Sequence, residues 1–238
     1  MKRFQIRLIF FFLTAIFPIF GDEWKTVYLA SFPRSGNHWV RFLLEEATHI
    51  ATSSIYEDDD FPHFREVFPW GGYCTDHGYD GHCRYPTKED PVILKTHYPY
   101  YQKKIDPEPK ITICLIRNPI DAFWSLYVYR QNDPERKINQ QKLKKFIARW
   151  RMFYEFWEQQ PGVLFIRYED LQKNTRLHLH RILQTAGFSF DQTDIERAVA
   201  KYPSKGKSLK HIQFYDNIMI ETIKNELSDL LTKFQYDL

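Results

Sequence analysis

A chain of 238 residues with 43% hydrophobic and 17% aromatic content can bury one substantial core, and the usual size of domains argues against two full ones. Its 33 basic and 30 acidic residues leave a formal charge of +3, too balanced for a general nucleic-acid binder, although local basic clusters can still receive an anionic cofactor. There are no internal repeats and no low-complexity tracts.

Lys2, Arg3 and Arg7 precede an apolar run from Leu8 to Gly21. A basic start followed by roughly 14 apolar residues has the form of a secretory signal and falls short of the ~20 residues that comfortably span a bilayer. Residues 1–21 are therefore expected to be a signal peptide, with a short signal anchor as the alternative, and residues 22–238 the folded domain. Any membrane association would run through that leader alone, and the expected location is the secretory pathway, in the Golgi lumen or secreted. Cys74 and Cys83 bracket a polar, Gly-rich loop that an oxidising lumen would let a disulfide close. Cys114 lies inside an apolar strand and reads as a buried free thiol. His77 and His82 stand near the two loop cysteines, but their spacing matches no common zinc pattern, and no metal is expected.

Val27-Tyr28-Leu29-Ala30 reads as a strand, and an amphipathic helix from Trp39 to Ile50 follows with Val40, Leu43, Leu44 and Ala47 inward. Between them lie Pro33, Arg34, Ser35, Gly36, Asn37 and His38. A strand, a tight loop and a helix direct successive N–H groups and the positive helix end at one point, an anion-binding arrangement. Gly36 suits the bend, and Arg34 adds a cation with several donors. The GxxxxGK[ST] spacing of a nucleoside-triphosphate loop is absent. A plain strand-to-helix turn is the competing reading.

Ala51 to Asp90 is the least regular segment, with the length and composition of an ordered insertion of the kind that carries ligand recognition, while Glu57 to Asp60 reads as a solvated loop tip. The buried strand Val92 to Leu94 then delivers Lys95 and His97, two positions apart and so on one side. Ile111 to Ile116 is the clearest buried strand. It ends in Arg117-Asn118-Pro119, with Pro119 starting a helix that carries Ser125 two turns in. An aromatic stripe predicts a core helix over Gln141 to Gln160, ended by Pro161-Gly162. Val163 to Arg167 is a further strand, followed by Tyr168-Glu169-Asp170-Leu171, whose two acids begin or cap the next helix. Helices are predicted over Leu177 to Ala186, Asp191 to Lys201 and, as one continuous element, Ile218 to Phe234. A basic loop containing Lys205, Gly206 and Lys207 lies before the last. Four strand-like runs alternating with helices, with the main anion motifs at strand carboxyl ends, predict a single-domain α/β fold with a doubly wound parallel sheet flanked by helices.

Three motifs in this order, Pro33 to Trp39, Lys95-Thr96-His97, and Arg117 with Ser125 eight positions on, resemble those of the sulfotransferases that use 3'-phosphoadenosine 5'-phosphosulfate (PAPS). The resemblance implies a P-loop-like sulfotransferase fold and PAPS as co-substrate, without a metal. It implies that Pro33 to Trp39 hold the phosphosulfate and adenine, with Trp39 stacked on the base. A core tryptophan is the other reading of Trp39. Arg117 and Ser125 would hold the 3'-phosphate, Tyr168 would contact the nucleotide, and His97 would be the general base, with Lys95 and Arg34 stabilising the transferring and leaving groups. Lys205, Gly206 and Lys207 match a loop that closes over the 3'-phosphate, although Ser204 stands where an arginine is expected. His38 replaces a small hydroxyl residue and reads either as an alternative base or phosphosulfate donor, or as a polar helix-start residue. Within the superfamily the chain looks most like the sulfotransferase domain of WSC-domain-containing proteins, without the WSC domains. That branch suggests a glycan acceptor, a sialylated one included. The rivals are an ATP-dependent P-loop phosphotransferase and a secreted carbohydrate-binding protein that kept the fold without turnover.

Overall fold

The unbroken apolar stretch at Val27 to Ala30 is buried throughout, as expected for a strand covered on both faces. In a computed structural model, which describes residues 24–56, 64–67, 73–75, 78, 80–103, 108–131, 138–204 and 211–238, it forms β1 (Lys25–Ser31). Helix α1 (Asn37–Thr48) follows, then the short strands β2 (Ser53–Ser54), β3 (Phe64–Val67) and β4 (Tyr73–Thr75). Strands β5 (Pro91–Thr96) and β6 (Ile111–Ile116) lead into helices α2 (Pro119–Gln131) and α3 (Gln140–Glu158), and strand β7 (Val163–Arg167) into α4 (Tyr168–Lys173). Helices α5 (Thr175–Ala186), α6 (Gln192–Lys201), α7 (Asn217–Glu226) and α8 (Ser228–Lys233) complete the chain.

The seven strands form one sheet in the order β3-β4-β2-β5-β1-β6-β7. From β2 to β7 the five neighbours run parallel, with Leu29 paired to Lys95 and Ala30 to Cys114, while β4 and β3 extend the edge antiparallel. Alternate residues of β1 enter different cores. Tyr28 and Ala30 join one that includes Phe123, Trp150, Phe153 and Leu231, and Val27 and Leu29 join another that includes Leu43, Leu179 and Ile195. Helices therefore cover both faces, as the sequence predicts. The polar ends of β1, β5, β6 and β7 meet at one edge, since Ala30 pairs with Thr96, Ser31 with Leu115, and Ile116 with Arg167.

Three expectations are corrected. The segment Ala51 to Asp90 contributes three strands to the sheet, each too short to show a period in sequence. The final helix is two: backbone bends at Leu227 (φ −118°, ψ 13°), a fully buried residue. Bending there lets Ile223 on one side and Leu230, Leu231 and Phe234 on the other face the same core. Cys83 is a free thiol, so the expected disulfide with Cys74 is not formed. Its Sγ lies 3.5 Å from the carbonyl oxygen of Glu45, and burial, then the charges of Glu45, Glu46 and Asp80, push its pKa up to about 12. Cys114 is a buried free thiol, as predicted. No helix among the described residues is long and apolar enough to cross a membrane. The leader at residues 1–21 lies outside them.

Candidate active site

The loop between β1 and α1 starts at Phe32, which is fully buried and packs edge-on against Tyr100 and Phe123. Ser35 N–H donates to the Phe32 carbonyl across 3.2 Å and closes a turn in which Arg34 takes a left-handed φ of 69°. Gly36 (φ 96°) begins α1, with no side-chain cap and no acidic residue in the first turn. A Cβ at Gly36 would lie 2.4 Å from the Tyr168 ring, so glycine is required both by backbone and by space. The helix starts two residues earlier than predicted, which places His38 and Trp39 in its first turn, where N–H groups favour an anion.

A cavity of about 570 Å³ opens at this edge of the sheet. Its wall includes Pro33, Arg34, Gly36, Asn37, His38 and Trp39 from the loop and first helix, and Lys95 and His97 from the end of β5. Arg117, Ser125 and Tyr168, from the tip of β6, α2 and α4, line it as well. Residues separated by more than a hundred positions thus share one space. Ser35 is fully buried and lies outside the cavity wall. Asn37 is used structurally, its side-chain nitrogen donating to the Leu29 carbonyl (3.1 Å) and to Ser31 Oγ (3.2 Å). Lys205, Gly206 and Lys207 lie outside the described residues.

Arg117 leaves the tip of β6 and is 9% exposed. Its Nη1 donates to the Arg34 carbonyl across 2.7 Å, its guanidinium lies 4.8 Å from the Tyr168 ring centre, and its buried Nε has no protein partner. Burial pushes the Tyr168 phenol above its ordinary pKa, against the pull of the Arg117 charge. Arg34 Nε donates to Ser125 Oγ across 3.3 Å, and its guanidinium sits 4.8 Å from the Tyr129 ring centre. Trp39 meets Tyr168 edge-on at 5.8 Å and donates from Nε1 to the Tyr202 carbonyl across 2.9 Å. Its indole is thereby both a cavity wall and a strut.

His97 follows β5 directly. Its Nδ1 lies 2.7 Å from the carbonyl oxygen of Ser31. A carbonyl can only accept, so Nδ1 carries a proton, and in the neutral ring the lone pair sits on Nε2. Lys95, 6% exposed, reaches the same cavity from two residues earlier.

Tyr56, Tyr101, Leu126 and Tyr129 also line the cavity and were missed by sequence reasoning, because they stand in no recognisable motif. Glu169 was read as a helix-start acid. It does stand in the first turn of α4, and it also accepts from Asn118 N–H (3.0 Å) and from the Tyr236 hydroxyl (2.7 Å), tying α4 and Tyr236 to the tip of β6. Among the described residues there is no group of three or more His, Cys, Asp or Glu side chains arranged to hold a metal ion.

Comparison with known proteins gives a consistent picture. A family model described as "Sulfotransferase domain" matches residues 25–233. "WSCD family member GA21586" from Drosophila pseudoobscura pseudoobscura is 27% identical over 202 residues, covering 79% of this chain and 58% of that protein. "Cytosolic sulfotransferase 13" from Arabidopsis thaliana is 25% identical over 209 residues, covering 78% of this chain and 61% of that protein. The chain thus spans about three-fifths of the length of these curated relatives. Among solved structures, mouse sulfotransferase SULT7A1 complexed with PAP superposes with a TM-score of 0.56 at 15% identity, covering 87% of this chain and 84% of that one.

Proposed function

The chain belongs to the sulfotransferase-domain family, and on that premise we propose that it transfers a sulfuryl group from PAPS to a hydroxyl of an acceptor, a glycan, with His97 as general base. The observation that carries this reading is the convergence of Arg34, Lys95, His97, Arg117 and Ser125 on one cavity at the uncapped start of α1.

The residues present fit a nucleotide with a 3'-phosphate. Buried Arg117 Nε has no protein partner, a cost that an anionic oxygen would remove, and Ser125 stands beside Arg34 to join it. Gly36 keeps backbone N–H groups close to where a 5'-phosphosulfate would lie, and Trp39 and Tyr168 form an aromatic corner suited to a purine. PAPS supplies an activated sulfuryl group on a phosphate leaving group. His97 Nε2 takes the acceptor proton as the oxygen bonds to sulfur, a role worth ~10²–10⁴-fold in rate. Arg34 and Lys95 offset the negative charge that develops as the bond between sulfur and the bridging phosphate oxygen breaks.

Tyr56 and Tyr101 stand against His97 and Tyr129 against Arg34, and Tyr101 and Tyr129 are 42% and 53% exposed. The exposed rings of Tyr101 and Tyr129, which offer both an apolar face and a hydroxyl, suit a sugar better than a wholly apolar acceptor. The basic and apolar character of residues 1–21 supports entry into the secretory pathway and action in the Golgi lumen or outside the cell.

The test is calorimetric titration of the full chain with 3'-phosphoadenosine 5'-phosphate (PAP), ATP and ADP, with and without magnesium, followed by transfer from radiolabelled PAPS onto a glycan array. Binding that depends on the 3'-phosphate, with label on the array, is the expected result. Magnesium-dependent preference for ATP would replace this reading with phosphoryl transfer. Glycan binding without label transfer would replace it with a lectin-like role.

A further inference from the structure

Three contacts among the described residues hold His97. Its Nδ1–H donates to Ser31, at the end of β1, its carbonyl accepts from Tyr101 N–H across 3.2 Å, and its backbone N–H donates to the Tyr56 hydroxyl across 3.2 Å. Tyr56 lies just after β2, so the two strands that flank β5 in the sheet each supply one anchor to the residue at its tip. The Tyr56 ring stacks on the imidazole with an interplanar angle of 12° and a centroid distance of 6.1 Å, and Tyr101 closes on the imidazole edge-on at 5.9 Å.

We propose that Tyr56 is a positioning residue for the base: its hydroxyl fixes the His97 peptide and thereby holds the imidazole in the tautomer that presents Nε2 to the acceptor. This rests on the reading of His97 as the base.

The hydrogen-bond chain has a direction. The Tyr56 oxygen accepts from the His97 amide, so its own proton points elsewhere, and Thr96 Oγ1 lies 3.4 Å away. That hydroxyl already accepts from Tyr98 N–H at 3.0 Å. The phenol thus contacts residues 96 and 97 directly, and residue 98 through Thr96 Oγ1. Burial raises the Tyr56 pKa, which keeps the phenol protonated and able to donate. Without this hold the His97 peptide can rotate, and the bond from Nδ1 to Ser31 is the first to lengthen. An imidazole that leaves Ser31 exchanges its proton between the two nitrogens, and a base protonated at Nε2 cannot accept from the acceptor hydroxyl. Stacking alone would not prevent that, since it leaves the ring free to slide in its own plane.

The experiment is nitrogen-15 NMR of the full chain labelled at histidine, with the His97 resonances assigned by their loss in H97Q. The wild type is expected to show His97 protonated at Nδ1. Tyr56→Phe keeps the ring and removes the hydroxyl, and should raise the Nε2–H population about tenfold, the scale of one lost hydrogen bond. Thr96→Val should move the same resonances in the same direction by less. PAP affinity of both variants should stay within about twofold of the wild type. A Tyr56→Phe imidazole spectrum that superimposes on the wild type overturns the proposal. Loss of PAP affinity in Tyr56→Phe overturns it too, because the hydroxyl would then support the whole cavity. Failure of the base reading is seen separately: H97Q would label a glycan array from PAPS as well as the wild type, whatever the tautomer of His97.

Discussion

The Arg34 carbonyl accepts a hydrogen bond from Arg117 across 2.7 Å, so the tip of β6 holds the loop after β1 by its backbone, while the buried Nε of the same guanidinium has no protein partner. Arg117→Ala should weaken PAP binding about 100-fold, the upper range for charge-assisted hydrogen bonds. AMP, which lacks the 3'-phosphate, should lose much less. Calorimetry with both ligands separates the outcomes, and equal losses would remove the 3'-phosphate from Arg117.

If His97 is the base we propose, His97→Ala should reduce sulfuryl transfer by ~10²–10⁴-fold and leave PAP affinity nearly unchanged, since the imidazole would then act on the acceptor. A variant that loses PAP binding in parallel with turnover would mark His97 as part of the nucleotide site.

Gly36→Ala meets two obstacles, a φ of 96° and the Tyr168 ring at 2.4 Å. A loss of ~1–3 kcal/mol in urea unfolding is expected, with weaker PAP binding. Combining it with Tyr168→Ala should recover the steric share of the loss and leave the backbone share. Strict additivity of the two substitutions would show that ring and methyl never meet.

Glu46, on α1, is 5% exposed and is held by Lys201 (2.8 Å), Arg197 (3.2 Å) and His82 (3.3 Å). Burial alone would raise its pKa, but the hydrogen bond from Lys201 and the charges of Lys201, His82 and Arg197 outweigh it and lower the net value. A carboxylate with a depressed folded-state pKa contributes stability above its unfolded pKa and loses it as the pH falls through the folded one. Glu46→Gln should therefore cost about 2 kcal/mol near pH 7 and much less near pH 3. Urea midpoints at the two pH values measure this, and an equal cost at both would show that packing, not charge, is what the carboxylate provides.

The parallel centre of the fold was legible because β1, β5, β6 and β7 are continuous apolar runs, and buried strands have no other signature. The convergence of the motif residues on one cavity was legible for a related reason: each motif begins within a residue or two of a strand's end, and in a parallel sheet those ends gather at one edge. Nothing comparable marks Tyr56, which follows a two-residue strand, or Tyr101 and Tyr129, which reach the cavity from a turn and a helix face. The contact of Glu169 with Asn118 spans 51 positions and uses an acid that any helix start would accept. Cys83 misled because loop composition signals a closable loop, while the direction of a side chain depends on what lies beneath it, here the end of α1.

The first described strand, β1, is the middle one of the five parallel strands, between partners that end at Thr96 and Ile116. On a ribosome this stretch therefore emerges apolar and with both edges unsatisfied, and it waits on the order of 10 s for its neighbours to be synthesised. Such a segment is a template for pairing with other nascent chains. Production of the protein should accordingly be limited by holdase supply early in translation, and substitutions that spare the finished structure but slow elongation between residues 31 and 116 should lower yield more than the same delays placed downstream.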